Sequence, residues 1–138
     1  MSFSSTLPFT VHWGDCDAIG IAFYPNFFAW FDNGTWNMFE EAGIPMDGLM
    51  RDYNGFGFPL VDAHASFHNA PRPRDRLVLH SRVEGWSDKT VRIAHRVMRG
   101  DTLIAEGHEI RVWTVRDPDD PDKLRAEPVP GEIRERFT

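Results

Sequence analysis

The sequence predicts an α+β fold in which a long central helix is wrapped by a curved antiparallel sheet of about five strands. Two observations carry this expectation. One helical stretch runs from Pro25 to about Ala42, with a short strand before it. From Leu60 to Val115 the chain then reads as strands joined by turns. Helix and strands kept apart in this way define an α+β arrangement, and a strongly curved sheet around the helix accounts for their proportions.

The elements follow in order. Phe9 to Trp13 reads as a short first strand. Pro25 suits the first turn of a helix, where its missing N–H would have had no partner. Gly43 is a natural stop. Gly34 lies inside the helix at a cost of roughly 1 kcal/mol relative to alanine, which points to close approach by a strand. Pro45 to Gly57 reads as a loop with one helical turn. Leu60–Asn69 alternates, with Val61, Ala63, Ala65 and Phe67 on one side and Asp62, His64, Ser66 and His68 on the other. The Pro-rich turn Ala70–Asp75 ends it. Arg76–Trp86, Thr90–Arg99 and Thr102–Val115 are the next strands, and Gly100-Asp101 marks a tight hairpin. Asp117–Lys123 is a polar loop, and Glu132–Phe137 forms a last helical turn. A sheet of this kind has an outer face and an edge to cover, which favours oligomers.

Composition narrows the function classes. The 138 residues suit one domain, 1–138, with a single core. A net charge of −6 argues against nonspecific nucleic-acid binding, yet a local basic patch can still hold an anionic ligand. Cys16 is the only cysteine, so no internal disulfide forms, which suits a reducing cytosol. No signal-peptide pattern and no bilayer-length apolar run occur, so a cytoplasmic protein without a membrane partner is expected. Six histidines occur, none with zinc-motif spacing. His64 and His68 share a strand face about 13 Å apart. No metal and no cofactor are expected. Eleven Phe and five Trp are present, many of them between Phe23 and Phe39, where each ring serves either the core or an aryl pocket.

The chemistry concentrates in Gly14-Asp15-Cys16-Asp17-Ala18-Ile19-Gly20-Ile21-Ala22-Phe23-Tyr24-Pro25-Asn26. Asp17 lies on a loop after a strand, and Gly20 allows a turn that other residues resist. The first N–H groups of the following helix lack intrahelical acceptors and sit at the positive end of its dipole. A carboxylate beside such donors suits attack on a polarised carbonyl. A carboxylate that caps its own turn fits the same residues. Asp15 reads as structural, bonded to loop backbone. Cys16 reads as packing, because flanking carboxylates raise a thiol pKa. Asp32 follows Phe28 by four residues on one helix face, among Phe27, Trp30, Phe31 and Trp36. It either faces solvent, pairs with an arginine, or accepts a hydrogen bond from a phenol hydroxyl.

The run GDCDAIGIAFYPNFFAWFD resembles the signature of the 4-hydroxybenzoyl-CoA thioesterase family of hotdog-fold enzymes. FPLVDAHASFHNAPRPRD resembles that family's second strand and turn. GHEIRVWTV with KLRAEPVP resembles its last strand and C-terminal segment. The resemblance implies an acyl-CoA thioesterase acting on an aromatic, hydroxybenzoyl-type substrate. Asp17 would then be nucleophile or general base, and the Tyr24 backbone N–H would face the thioester oxygen. Asp32, Phe28 and Gly20 are the candidate substrate-binding residues. Lys89 and Arg125 are the candidates for coenzyme A phosphates. The family's Arg-rich run after the tryptophan is reduced here to Trp86-Ser87-Asp88-Lys89-Thr90. The resemblance also implies edge-to-edge dimers, paired into tetramers, with active sites built from two subunits. The alternatives are a thioesterase for short or medium aliphatic chains or acyl-carrier protein, and a non-catalytic acyl-CoA-binding module. A hotdog dehydratase would need a catalytic histidine, and no matching motif occurs.

Overall fold

Apolar residues recur at helical spacing after Pro25, and the chain folds there into helix α1, Asn26–Glu41. Its buried face is Phe27, Phe31, Gly34, Thr35, Met38 and Phe39, the i, i+4, i+7, i+8 stripe of a helix laid on a core. The computed structural model describes residues 3–138. The sheet that receives α1 has five strands: β1 (Ser4–Thr10), β3 (Leu60–Phe67), β4 (Arg76–Trp86), β5 (Thr90–Arg99) and β6 (Thr102–Val112). Their order is β1-β4-β5-β6-β3, with antiparallel neighbours throughout. Strand β2 (Gly55–Gly57) joins β7 (Thr114–Arg116) and β8 (Leu124–Ala126) in a second, small sheet. Two short helices, α2 (Leu49–Tyr53) and α3 (Gly131–Glu135), complete the chain.

Period-two alternation sends Leu77, Leu79, Ser81 and Val83 of β4 inward, and Val91, Ile93, His95 and Val97 of β5. The core therefore has levels. At one end Phe27 and Phe31 pack with Val11, Leu77, Leu79, Val97 and Ile104. At the other, Met38 and Phe39 pack with Val83, Val91, Ile93, Trp113, Ile133 and Phe137. Each such fully buried side chain contributes roughly 1.5–3 kcal/mol. Between the two clusters lie the buried polar residues Thr35, Ser81, His95 and Glu109. Gly34 sits at the same level. A Cβ there would lie 2.6 Å from the Ser81 hydroxyl and would also collide with Leu79, so helix and strand meet as the glycine suggested.

The expected strands Arg76–Trp86 and Thr90–Arg99 have the observed limits. Others move. The first strand is Ser4–Thr10, not Phe9–Trp13, and Trp13–Asp15 forms one 3-10 turn. The Asp15 side chain accepts the His12 N–H at 2.8 Å and closes that turn. Pro8 is tolerated in β1 because the strand lies at the sheet's edge. The last long strand stops at Val112, where the chain turns at Trp113 and enters the small sheet. The small sheet itself went unforeseen, since three-residue strands carry little periodicity. Strand β3 ends at Phe67, two residues early, and among the described residues pairs only with β6. Its Leu60, Val61 and Phe67 remain exposed in the single chain.

Candidate active site

Loop 15–23 is pinned at both ends. The Asp15 carbonyl accepts from the Phe23 N–H at 2.8 Å and from the Asn26 side-chain amide at 2.7 Å. Asp15 is thus structural, as expected from the sequence. Cys16 and Ala22 form a bridge, and Ala22 donates to the Pro71 carbonyl. Inside this frame the Asp17 N–H donates to Ile21 O and the Gly20 N–H to Asp17 O, with Gly20 at φ 85°. That conformation favours glycine. One Asp17 oxygen accepts the Ile19 N–H at 2.9 Å. The carboxylate therefore does cap its own turn, and its second oxygen has no partner among the described residues. The Cys16 thiol is pushed up in pKa by desolvation and by the carboxylates of Asp15, Asp17 and Asp75, the wrong direction for a nucleophile.

The same frame brings Tyr24 and the helix start to Asp17's end of the molecule. Pro25 occupies the N-cap at φ −62°. Among the described residues, nothing accepts from the Tyr24 N–H. An open cleft of about 300 Å³ runs beside the loop, lined by Ile21, Tyr24, Phe27, Phe67, His68 and Pro71 among others. A larger hollow of about 690 Å³ lies on the outer face of the sheet, lined by His64, His80, Arg82, Arg96 and His108 among others and by no residue of the Asp17 loop. The smaller cleft borders the loop at Ile21 and the helix start at Tyr24, while another hollow of about 410 Å³, lined by His12, Asp15, Trp30 and Asn33 among others, borders the loop at Asp15.

Further along α1, Phe28 is half-buried and meets Phe31 edge-on at 6.1 Å. One turn on, Asp32 accepts from Arg111 Nη2 at 2.6 Å. The arginine pairing is thus the reading of Asp32 realised within the chain, although 60% of its side chain stays exposed.

Arg111 leads into the polar layer. Its guanidinium donates to Glu109 Oε2 at 2.7 Å and to the Phe58 carbonyl at 3.0 Å. Glu109 Oε1 also accepts from the Thr35 hydroxyl and lies 2.9 Å from His95 Nε2. His95 Nδ1 is 2.7 Å from the Ser81 hydroxyl, and Phe31 stacks on the imidazole at 4.6 Å. Burial alone would raise the Glu109 pKa. The hydrogen bonds and charges of His95 and Arg111 outweigh it and hold the carboxyl at about 2. Burial likewise opposes the charge on Arg111, and Glu109, then Asp32, raise its pKa in spite of it.

Sequence reasoning did not find Thr35, Ser81, His95, Glu109 or Arg111. A signal existed in β6. Alternation from Gly107 places Glu109 and Arg111 on the same side as Trp113, so a charge pair was written into an inward face.

The candidate phosphate contacts lie elsewhere. Lys89 is in the turn between β4 and β5, and Arg125 is in β8, ion-paired with Glu127 at 2.5 Å. The Lys89 carbonyl accepts from Trp113, whose own carbonyl accepts from Glu127, so both basic residues share one end of the molecule. Asp17 is at the other end, beside the start of β4. The ten steps of that strand span roughly 33 Å. One chain therefore does not bring Lys89 or Arg125 to Asp17.

A long helix wrapped by a curved five-strand sheet, with a loop carboxylate ahead of the helix start, is the hotdog fold in its thioesterase form. Residues 11–137 match the family model of the Thioesterase-like superfamily, and the chain belongs to that family as a thioester hydrolase. It is 32% identical over 141 residues to the 4-hydroxybenzoyl-CoA thioesterase of Pseudomonas sp. (strain CBS-3), an alignment covering 98% of each chain. A solved structure of 4-hydroxybenzoyl CoA thioesterase, the mutant D17N complexed with 4-hydroxybenzoyl CoA, superposes with a TM-score of 0.89 at 29% identity, covering 98% of this chain and 99% of that one. A gentisyl-coenzyme A thioesterase superposes with a TM-score of 0.82 at 32% identity, covering 94% of this chain and 99% of that one.

Proposed function

We propose that this chain hydrolyses an aromatic acyl-CoA, of the hydroxybenzoyl type, to the free acid and CoA. The observation that supports it most is the pinned segment that holds both Asp17, with one carboxylate oxygen uncommitted, and Tyr24, whose N–H has no acceptor among the described residues. That N–H and the helix dipole stabilise negative charge as it develops on the thioester oxygen. Asp17 either attacks the carbonyl carbon, expelling CoA thiolate and leaving a mixed anhydride that water cleaves, or takes a proton from the attacking water. Gly20 gives the loop its turn. Phe28 and Asp32, one helical turn apart, face the ring end of the substrate. Asp32 lies eight residues beyond Tyr24, about 12 Å along the helix axis, a span suited to a para-substituted aryl thioester with a hydrogen bond at each end. Relatives named for hydroxylated aryl-CoA substrates agree with this class.

The site is completed by a second copy. Strand β3 leaves an unpaired edge and exposed Leu60, Val61 and Phe67, which suit edge-to-edge pairing. Lys89 and Arg125 bind the phosphates of a CoA whose acyl group lies at another subunit's Asp17, within a dimer of dimers. A panel of aryl- and alkyl-CoA thioesters tests the reading. Hydroxybenzoyl-CoA should have the highest kcat/KM. A preference for aliphatic chains would replace it with the alternative substrate class.

A further inference from the structure

We propose that Arg111 fixes the hydrogen-bond polarity at position 32, holding an acceptor inward, so that Asp32 offers the substrate its second acceptor oxygen where an asparagine would offer a donor. The inference rests on the reading of Asp32 as the contact at the ring end. A guanidinium has five N–H donors and no acceptor. That of Arg111 reaches Phe58 O at 3.0 Å, Glu109 Oε2 at 2.7 Å and Asp32 Oδ1 at 2.6 Å. It has little freedom to rotate, because its anchor is itself held. Glu109 is gripped by Thr35 and His95 as well, and Glu109 and Arg111 are 1% and 6% exposed.

Asp32 is the one member of this cluster that faces outward. Its Oδ1 is committed to Arg111, and Oδ2 has no partner among the described residues. A donor-only neighbour selects the orientation of whatever stands at position 32. A carboxylate turns one oxygen inward and presents the other. An amide would also turn its oxygen to Arg111 and would present its NH2 group instead. Arg111 is thus a positioning residue. Through it the site selects an aryl group that carries a hydrogen-bond donor, such as a phenol hydroxyl, over one whose substituent only accepts.

The test compares wild type, Asp32→Asn and Asp32→Leu on 4-hydroxybenzoyl-CoA and 4-methoxybenzoyl-CoA. A methoxy group accepts but does not donate. Wild type should favour the hydroxy substrate. Asp32→Asn should lower the hydroxy-to-methoxy ratio of kcat/KM by roughly 10-fold or more, the scale of a charge-assisted hydrogen bond, with methoxy turnover rising. Asp and Asn have the same shape, so a change in ratio reports polarity and not size. Arg111→Lys should also lower the ratio, since one ammonium cannot reproduce the guanidinium fork. Should that buried variant fail to fold, Asp32→Asn at the surface still decides. A wild-type ratio in Asp32→Asn, with the preference lost in Asp32→Leu, overturns the role of Arg111 and leaves the reading of Asp32 standing. A ratio unchanged in Asp32→Leu removes that reading, and the inference goes with it. A wild type that hydrolyses neither ester rejects the proposed substrate class itself.

Discussion

Two carboxylates of this molecule, Asp17 and Glu109, are held in opposite ways. Asp17 lies on a half-buried loop with one oxygen bonded to a backbone N–H and the other open. Glu109 lies in the middle of the core, gripped by Thr35, His95 and Arg111, and its pKa falls to about 2. A carboxylate that reacts must keep an oxygen free. One that organises a core must have every acceptor satisfied, because an unpaired buried charge is very costly. Substitution at the two sites should therefore separate activity from stability.

The largest effect is expected at Asp17. Asp17→Asn keeps the side chain's size and the turn, but loses nucleophile and base. Turnover should fall by roughly 10²–10⁴-fold while the melting temperature hardly moves. A folded variant with near wild-type turnover breaks the comparison at its active end. Glu109→Ala should do the reverse. It strands Arg111 and His95 in the core, and losing one partner of a buried pair costs about 3–5 kcal/mol. Total stability is commonly only about 5–15 kcal/mol. Urea unfolding followed by circular dichroism would show it. A small loss there would mean that the layer is looser than its geometry.

Acid titration sharpens the same contrast. The Glu109 pKa is depressed from 4.5 to about 2 on folding. Between these values the unfolded chain binds the proton and the folded chain does not. Stability from this group is therefore complete above about pH 5 and is lost as pH falls through 2, by a few kcal/mol in all. The urea midpoint of wild type should drop between pH 6 and pH 3, and the slope should be shallower in Glu109→Gln. Equal slopes would assign the acid sensitivity to other groups. Gly34→Ala probes the packing around the layer. Helix propensity gains about 1 kcal/mol, but the new methyl meets Leu79 and Ser81, both buried. Overpacking costs about 1–3 kcal/mol, so a net loss is expected. A gain would show that β4 can retreat from the helix.

The contrast also explains what could be read in advance. Asp17, Gly20, Tyr24 and Pro25 fall within a single short run, because one loop and one helix start build that part of the candidate site. Strands β4 and β5 were legible from alternation between clear turns. The polar layer was not, because Thr35, Ser81, His95 and Glu109 come from four different elements, and only pairing register brings them to one level. Each alone looks like a surface residue or an isolated core polar. Asp32 shows the limit most clearly. Its surroundings in sequence are aromatic, whereas its partner stands 79 residues away. The first strand moved for a similar reason: its limits depend on pairing with β4, from Ser4 opposite Arg82 to Thr10 opposite Arg76.

The smallest effect is expected at Lys89, and it tests whether the two ends of the molecule meet. Lys89 lies beyond the far end of β4 from the Asp17 loop, a strand whose contour is roughly 33 Å. If it binds a CoA phosphate, it serves the active site of another copy. Lys89→Ala should then raise KM several-fold with kcat little changed, as for the loss of uniform binding, and added salt should shrink the difference. Mixing Lys89→Ala with inactive Asp17→Asn under conditions that exchange subunits is the decisive step. Some mixed sites would combine an intact Asp17 from one chain with an intact Lys89 from the other. A component that combines wild-type KM with a kcat of wild-type scale should reappear, although neither variant shows both alone. If the mixture stays at the high KM, Lys89 acts on its own chain's site. If KM never rises in Lys89→Ala, the lysine is a solvated charge and the phosphates are held elsewhere.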